Sequence, residues 1–150
     1  MKQQGFTLIE LMVVLVIIGI ASAAISLTIK PDPLHLLRKD AERLSQLLQV
    51  AQAEARADGR PITWRADAKG FRFNRRSDDG LGVETFKGDT QLRSRPWEST
   101  PMQISIEPRQ VLVLDAEWIS PPVHVVLSDG QHSLSLQRDA AGLMRIVSQP

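Results

Sequence analysis

The chain contains no cysteine, which excludes disulfides, thiolate chemistry and the commonest structural zinc sets. An exported protein manages without disulfides when its core suffices, so this absence leaves the compartment open. A charge excess of either sign is missing too, with 18 Lys and Arg against 17 Asp and Glu. Displacing counterions from phosphates takes a basic excess, so the near balance argues against a nucleic-acid partner. Catalytic signatures are also lacking. No Ser, His and Asp stand in a nucleophile-elbow context, no GxxxxGK[ST] stretch cradles phosphate, and His35, His124 and His132 have no metal-ligand spacing. These absences predict no enzyme, no cofactor and no metal site. Asp78, Asp79 and Glu84, in a glycine-containing loop, come nearest to a calcium set, yet they lack the regular oxygen-ligand loop of an EF-hand. The one basic concentration is Arg72, Arg75 and Arg76, joined by Arg93 and Arg95. Strand alternation would put Arg72 and Arg75 on opposite faces, which favours a solvated surface over a phosphate-binding patch.

What the chain does have is one very uneven stretch of hydrophobicity. Its 150 residues suit one modest domain with an appendage. Residues 6–29 read FTLIELMVVLVIIGIASAAISLTI, with Glu10 the only charge. As a helix this run is about 36 Å long against a hydrocarbon core of about 30 Å, so it predicts a bilayer span. A secretory signal carries its cleavage site after the apolar run. Here the order is reversed: the polar leader 1–5, MKQQG, ends in Gly5 directly before it. Cleavage after Gly5 would keep the apolar helix on the mature protein, and a glycine lets a protease approach the backbone closely. A carboxylate inside such a helix is expensive and needs a partner. For Glu10 the new amino group at Phe6 is about one helical turn away, and in a staggered filament it could belong to a neighbouring subunit. The plainer alternative is a Glu that snorkels to water at the headgroups. Positive charge does not fix the orientation, since Lys2 precedes the span while Lys30, Arg38 and Lys39 follow it.

After the span, Pro31, Asp32 and Pro33 predict a kink or break. An amphipathic soluble helix is then expected within 30–59. Leu37, Ala41, Leu44, Leu48, Ala51 and Ala55 form its apolar stripe, and Asp58-Gly59 its stop. From residue 60 to 150 the pattern turns strand-like. Runs at 62–66, 71–75, 103–107, 111–114, 123–127, 133–137 and 143–147 predict antiparallel strands in two small packed sheets. Between them, 77–101 reads as a long loop with a short strand near 83–86. It is either a contact for a neighbouring subunit or a mobile segment without a defined role.

The stretch GFTLIELMVVLVIIGIASA resembles the N-terminus of type IV pilins and pseudopilins. That resemblance implies cleavage between Gly5 and Phe6 by a prepilin peptidase, N-methylation of Phe6, and pairing of Glu10 with the N-terminal amine of a neighbouring subunit. It also implies single-pass anchoring in a bacterial inner membrane, with the N-terminus cytoplasmic and the C-terminal domain periplasmic. The helix-then-strand order and the closing pattern SDGQHSLSLQRDAAGLMRIV resemble the H-type minor pseudopilins, the GspH family of type II secretion. The implied fold is α+β and pilin-like: a long N-terminal helix, half transmembrane and half amphipathic, on a C-terminal β-sandwich-like domain. The implied role is a structural subunit near the tip of a short pseudopilus that supports export of folded proteins. Its partners would be the major and minor pseudopilins, the prepilin peptidase and an inner-membrane assembly platform. Similar domains occur in minor pilins of type IV pili and DNA-uptake systems, which stands as the alternative.

Overall fold

The computed structural model describes residues 5–28, 31–109, 111–117 and 121–148. Expectations for residues 1–4 of the leader, and for residues 29 and 30 at the end of the span, fall outside these. The chain divides into two compact units, Met1–Asp32 and Pro33–Pro150. Helix α1, Leu8–Thr28, makes up most of the first. Pro31 and Asp32 are not helical, so the helical pattern is interrupted where the prolines predict.

The second unit opens with α2, Pro33–Asp58. Proline suits the first position of a helix, because its φ is already helical and its missing N–H would have had no intrahelical acceptor. Gly59 ends the helix at φ 66°, a conformation that glycine adopts without a Cβ penalty. The stripe expected from spacing is the buried one: Leu37, Ala41, Leu44, Leu48, Ala51 and Ala55 all face the core. Asp40, Ser45 and Gln52 are buried with them.

Two antiparallel sheets follow. The first holds β1 (Ile62–Asp67), β2 (Gly70–Arg76), β3 (Val83–Thr85), β4 (Arg95–Pro96) and β6 (Leu112–Leu114), in the order β3-β2-β1-β6, with β4 also on β2. The second holds β5 (Gln103–Glu107), β7 (Val123–Ser128), β8 (Ser133–Arg138) and β9 (Met144–Ser148), in the order β5-β7-β8-β9. Inward residues of both sheets and the stripe of α2 share one core that includes Trp64, Phe73, Leu112, Leu127 and Leu136. Burying side chains of this size contributes roughly 1.5–3 kcal/mol each, which is what lets a cysteine-free domain of this length hold together. The α+β class and the two-sheet arrangement follow the sequence expectation.

The segment 77–101 differs from the loop that its composition suggests. Beyond β3 it carries β4, and Leu92, Trp97 and Ser99 are buried. Trp97 stacks on Phe71 at 4.8 Å and donates its indole N–H to the Asp67 carbonyl at 2.8 Å. The tight approach of β4 to β2 needs Gly70, since a Cβ there would lie 2.3 Å from the Arg95 carbonyl oxygen. Periodicity could not reveal these anchors, because each is one residue inserted into a distant core.

Candidate functional site

Thr7 caps helix α1 from just before its first residue, and its carbonyl accepts the N–H groups of Glu10 and Leu11 at 3.1 and 3.2 Å. Its hydroxyl also accepts the Glu10 N–H, at 3.4 Å. T-L-I-E thus reads as half of a capping box, and Glu10 sits in the first turn, where the helix dipole favours a negative charge. Around the helix every described side chain is exposed: Phe6 81%, Leu8 79%, Ile9 70% and Ile20 67%, with no polar face. A helix that is apolar all round cannot rest in water and must be covered by lipid or by other chains. Its described side chains end at residue 24, about 25 Å from its start. Among the described residues no helix is long and apolar enough to cross a membrane. Gly5 and Phe6 precede the helix, both exposed. A Cβ at Gly5 would meet nothing within 4 Å, so the backbone on both sides of the 5–6 bond is open.

The other sequence candidates scatter. Arg75 points inward, to Asp58 at 2.6 Å, Glu84 at 3.4 Å and Glu54 at 3.9 Å, and lies over the Phe86 ring at 5.1 Å. Burial pulls its pKa down, but the three carboxylates more than restore it. Arg72 and Arg76 lie on the opposite face of β2, and Arg95 folds back onto the Thr90 and Gln91 carbonyls. The five arginines therefore form no single patch. Of the acidic trio, Asp78 pairs with Arg60 at 2.8 Å, Asp79 accepts the Leu81 N–H at 2.9 Å, and Glu84 lies between Arg60 and Arg75. His35 and His124 are exposed. His132 bonds Asp129 at 3.1 Å, and burial of that Asp is outweighed by N–H groups from His132 and Gln131, which hold its carboxyl below the usual range.

Sequence reasoning missed Asp40. It is fully buried on α2 and accepts the N–H groups of Glu98, at 2.9 Å, and Ser99, at 2.8 Å. Glu98 in turn takes Lys39 at 2.8 Å, and Arg43. A charge three residues after Leu37 and four before Leu44 lies on the apolar stripe, and that placement was the available signal. Arg138 is likewise buried, reaching from β8 to the carbonyls of Val113 and Pro121 at 3.5 Å.

A family model for a prokaryotic N-terminal methylation motif matches residues 1–26, and one for the type II transport protein GspH matches residues 40–142. The type II secretion system protein H of Aeromonas hydrophila is 31% identical over 94 residues, covering 61% of this chain. The match spans only 50% of that relative's length. Among solved structures, the minor pseudopilin EpsH from the Type 2 Secretion System of Vibrio cholerae superposes with a TM-score of 0.60 at 14% identity, over 75% of this chain and 96% of that one. The type IV minor pilin FimU of Pseudomonas aeruginosa gives 0.53 at 20% identity, over 76% and 88%. At such identities these two likenesses speak to the fold.

Proposed function

Because the chain belongs to the family of the type II transport protein GspH, we propose that it is a minor pseudopilin, a non-enzymatic subunit of the type II secretion pseudopilus that supports export of folded proteins. The carrying observation is α1: uniformly apolar, exposed on all sides, with one carboxylate in its first turn. Such a helix suits two environments in succession, a bilayer before assembly and a bundle of similar apolar helices from other pseudopilins after it.

In this reading a prepilin peptidase cuts between Gly5 and Phe6 and methylates the Phe6 amine. The open backbone at Gly5 supports the choice of bond. Residues 6–29 stay as the inner-membrane anchor with the N-terminus cytoplasmic, and 60–150 form the periplasmic β-rich domain reached through the helix within 30–59. Glu10 then meets the N-terminal amine of a neighbouring subunit. Within the low dielectric of a helical bundle each charge is costly alone, so the pair sets the axial register. Major and minor pseudopilins and the inner-membrane assembly platform are the partners, and the position is near the filament tip. The FimU likeness supports a second reading, a minor pilin of a type IV pilus or DNA-uptake system. Secretin and pseudopilin genes beside this one favour the first; retraction or competence genes favour the second.

Glu10→Leu tests the assembly role. It removes an intramembrane charge, easing insertion by up to about 2.5–3.5 kcal/mol at mid-span and less near the interface. The variant should therefore be abundant and processed, yet cross-link poorly to other pseudopilins and fail to support secretion of a reporter protein. Normal cross-linking and secretion would remove Glu10 from the assembly mechanism.

A further inference from the structure

The outer face of the first sheet carries a charge arrangement that the fold does not resolve. Along β1, Ile62 and Trp64 point inward, leaving Thr63 and Arg65 outside. Along β2, Phe71 and Phe73 point inward, which puts Arg72, Asn74 and Arg76 on the other face, with Arg72 and Arg76 exposed and Asn74 covered. The register sets Arg65 directly opposite Arg72, and Thr63 opposite Asn74. Together with Arg75, Arg76 and Val83 these four line one open hollow of about 500 Å³, Arg75 being the member whose guanidinium is engaged by Asp58, Glu84 and Glu54.

Like charges directly opposite on an antiparallel pair destabilise it. Among the described residues a single carboxylate approaches them, Asp67 at 3.7 Å from Arg72, and the other oxygen of that carboxylate already accepts the N–H groups of Lys69 and Gly70. Among the described residues no carboxylate lies within ion-pair distance of Arg65 or Arg76. Arg75, on the opposite face of the same strand, has three. The two faces of β2 thus differ: Arg75 is neutralised by carboxylates on the inner face, while Arg72 and Arg76 are left more open on the outer one. A second observation lies on the floor of the hollow. Asn74 is only 9% exposed, and its side-chain oxygen has no hydrogen-bond partner. Rotation of the amide exchanges oxygen for N–H, so this group can meet a ligand atom of either polarity.

We propose that this face docks an acidic segment of another protein, whose carboxylates enter the hollow between Arg65, Arg72 and Arg76. Arginine's planar fork suits paired contact with a carboxylate. A phosphate backbone fits less well, because Asp67 stands 3.7 Å from Arg72 within the row of arginines and interrupts the unbroken positive track that a continuous polyanion follows. Val83, 70% exposed, and Val113, 40% exposed and opposite Thr63, add apolar area that a peptide covers and a phosphate chain does not. All of these residues belong to the second unit, so the face is complete without the filament.

The test uses the full chain in zwitterionic detergent micelles and a short fluorescein-labelled peptide alternating Glu with Thr and Val. Anisotropy should show binding that weakens with salt, and a Gln-for-Glu twin should bind at least about tenfold more weakly. The double variant Arg65→Gln/Arg76→Gln should lose a similar factor. Arg65→Thr should also bind more weakly while its thermal midpoint rises, since it relieves the like-charge pair; this separates lost binding from lost folding. Equal binding of the two peptides, no binding of either, or unchanged affinity in the double variant overturns the proposal. So does tighter binding of duplex DNA, which would assign the face to nucleic acid, or displacement by inorganic phosphate as effective as by unlabelled peptide.

Discussion

At the scale of single residues, two carboxylates on the same contact respond to pH with opposite sign. Hydrogen bonds from Lys39 and Arg43 hold the Glu98 carboxyl below its ordinary value. Its folded pKa is lower than its unfolded one, so its contribution to stability is present above the ordinary carboxylate range and is lost as pH falls. Asp40 behaves otherwise. Burial raises its pKa more than the N–H groups of Ser99 and Glu98 and the charge of Arg43 lower it. Its contribution is therefore fullest when it is protonated and declines as pH rises through the folded value. For Glu98→Gln the thermal midpoint should fall most near about pH 7 and match the wild type at about pH 3 or below. A midpoint difference that stays constant across a pH series would show that the ion pairs with Lys39 and Arg43 are not its source.

At the scale of elements, the contact between α2 and the segment after β4 makes a long connection part of the core. Trp97 fills a place beside Phe71, and Asp40 takes the N–H groups of the two residues that follow Trp97. Asp40→Ala leaves those donors without an acceptor, one of them in fully buried backbone, and should cost about 2–4 kcal/mol. Urea unfolding would measure the loss, and limited proteolysis should place new cleavage between β3 and β5. A loss under about 0.5 kcal/mol, the usual range for an inert surface change, would mean that Trp97 packing alone holds the segment. The hairpin tip between β2 and β3 contrasts with it. Leu81 there is 91% exposed, with nothing of the domain packed over it.

At the scale of the whole molecule, an exposed apolar helix is joined to a domain that completes its own core, and the proposed cleavage acts on the first unit alone. Gly5→Val should leave the domain's thermal midpoint unchanged, because a side chain at that position meets nothing within 4 Å. Processing should nevertheless slow by about tenfold or more, which takes only about 1.4 kcal/mol in the transition state when a β-branched side chain obstructs a protease. Intact mass in a strain with an active prepilin peptidase would decide it. Normal processing of the variant would show that Gly5 is not what the protease reads, and an unprocessed wild type would count against the proposed cleavage.

The sequence by itself determined the apolar helix, its lone Glu10, the stripe of α2 and seven strands to within a residue or two, because each rests on local periodicity or on a charge placed where none is expected. It also carried the family likeness, whose most specific part is the short stretch around Gly5, Phe6 and Glu10. Only the tertiary structure decided that 77–101 is tied into the core by Trp97 and Asp40, since Trp97 reaches back 30 positions to Asp67 and Asp40 meets Ser99 59 positions on. Strand alternation already set Arg75 against Arg72, but the structure alone showed which acids each face meets, and brought in Arg65, which no spacing in the chain links to them. Strand register made that association: a pairing between β1 and β2 sets Arg65 against Arg72. Register is fixed by which face of the sheet is buried, and so by the whole core.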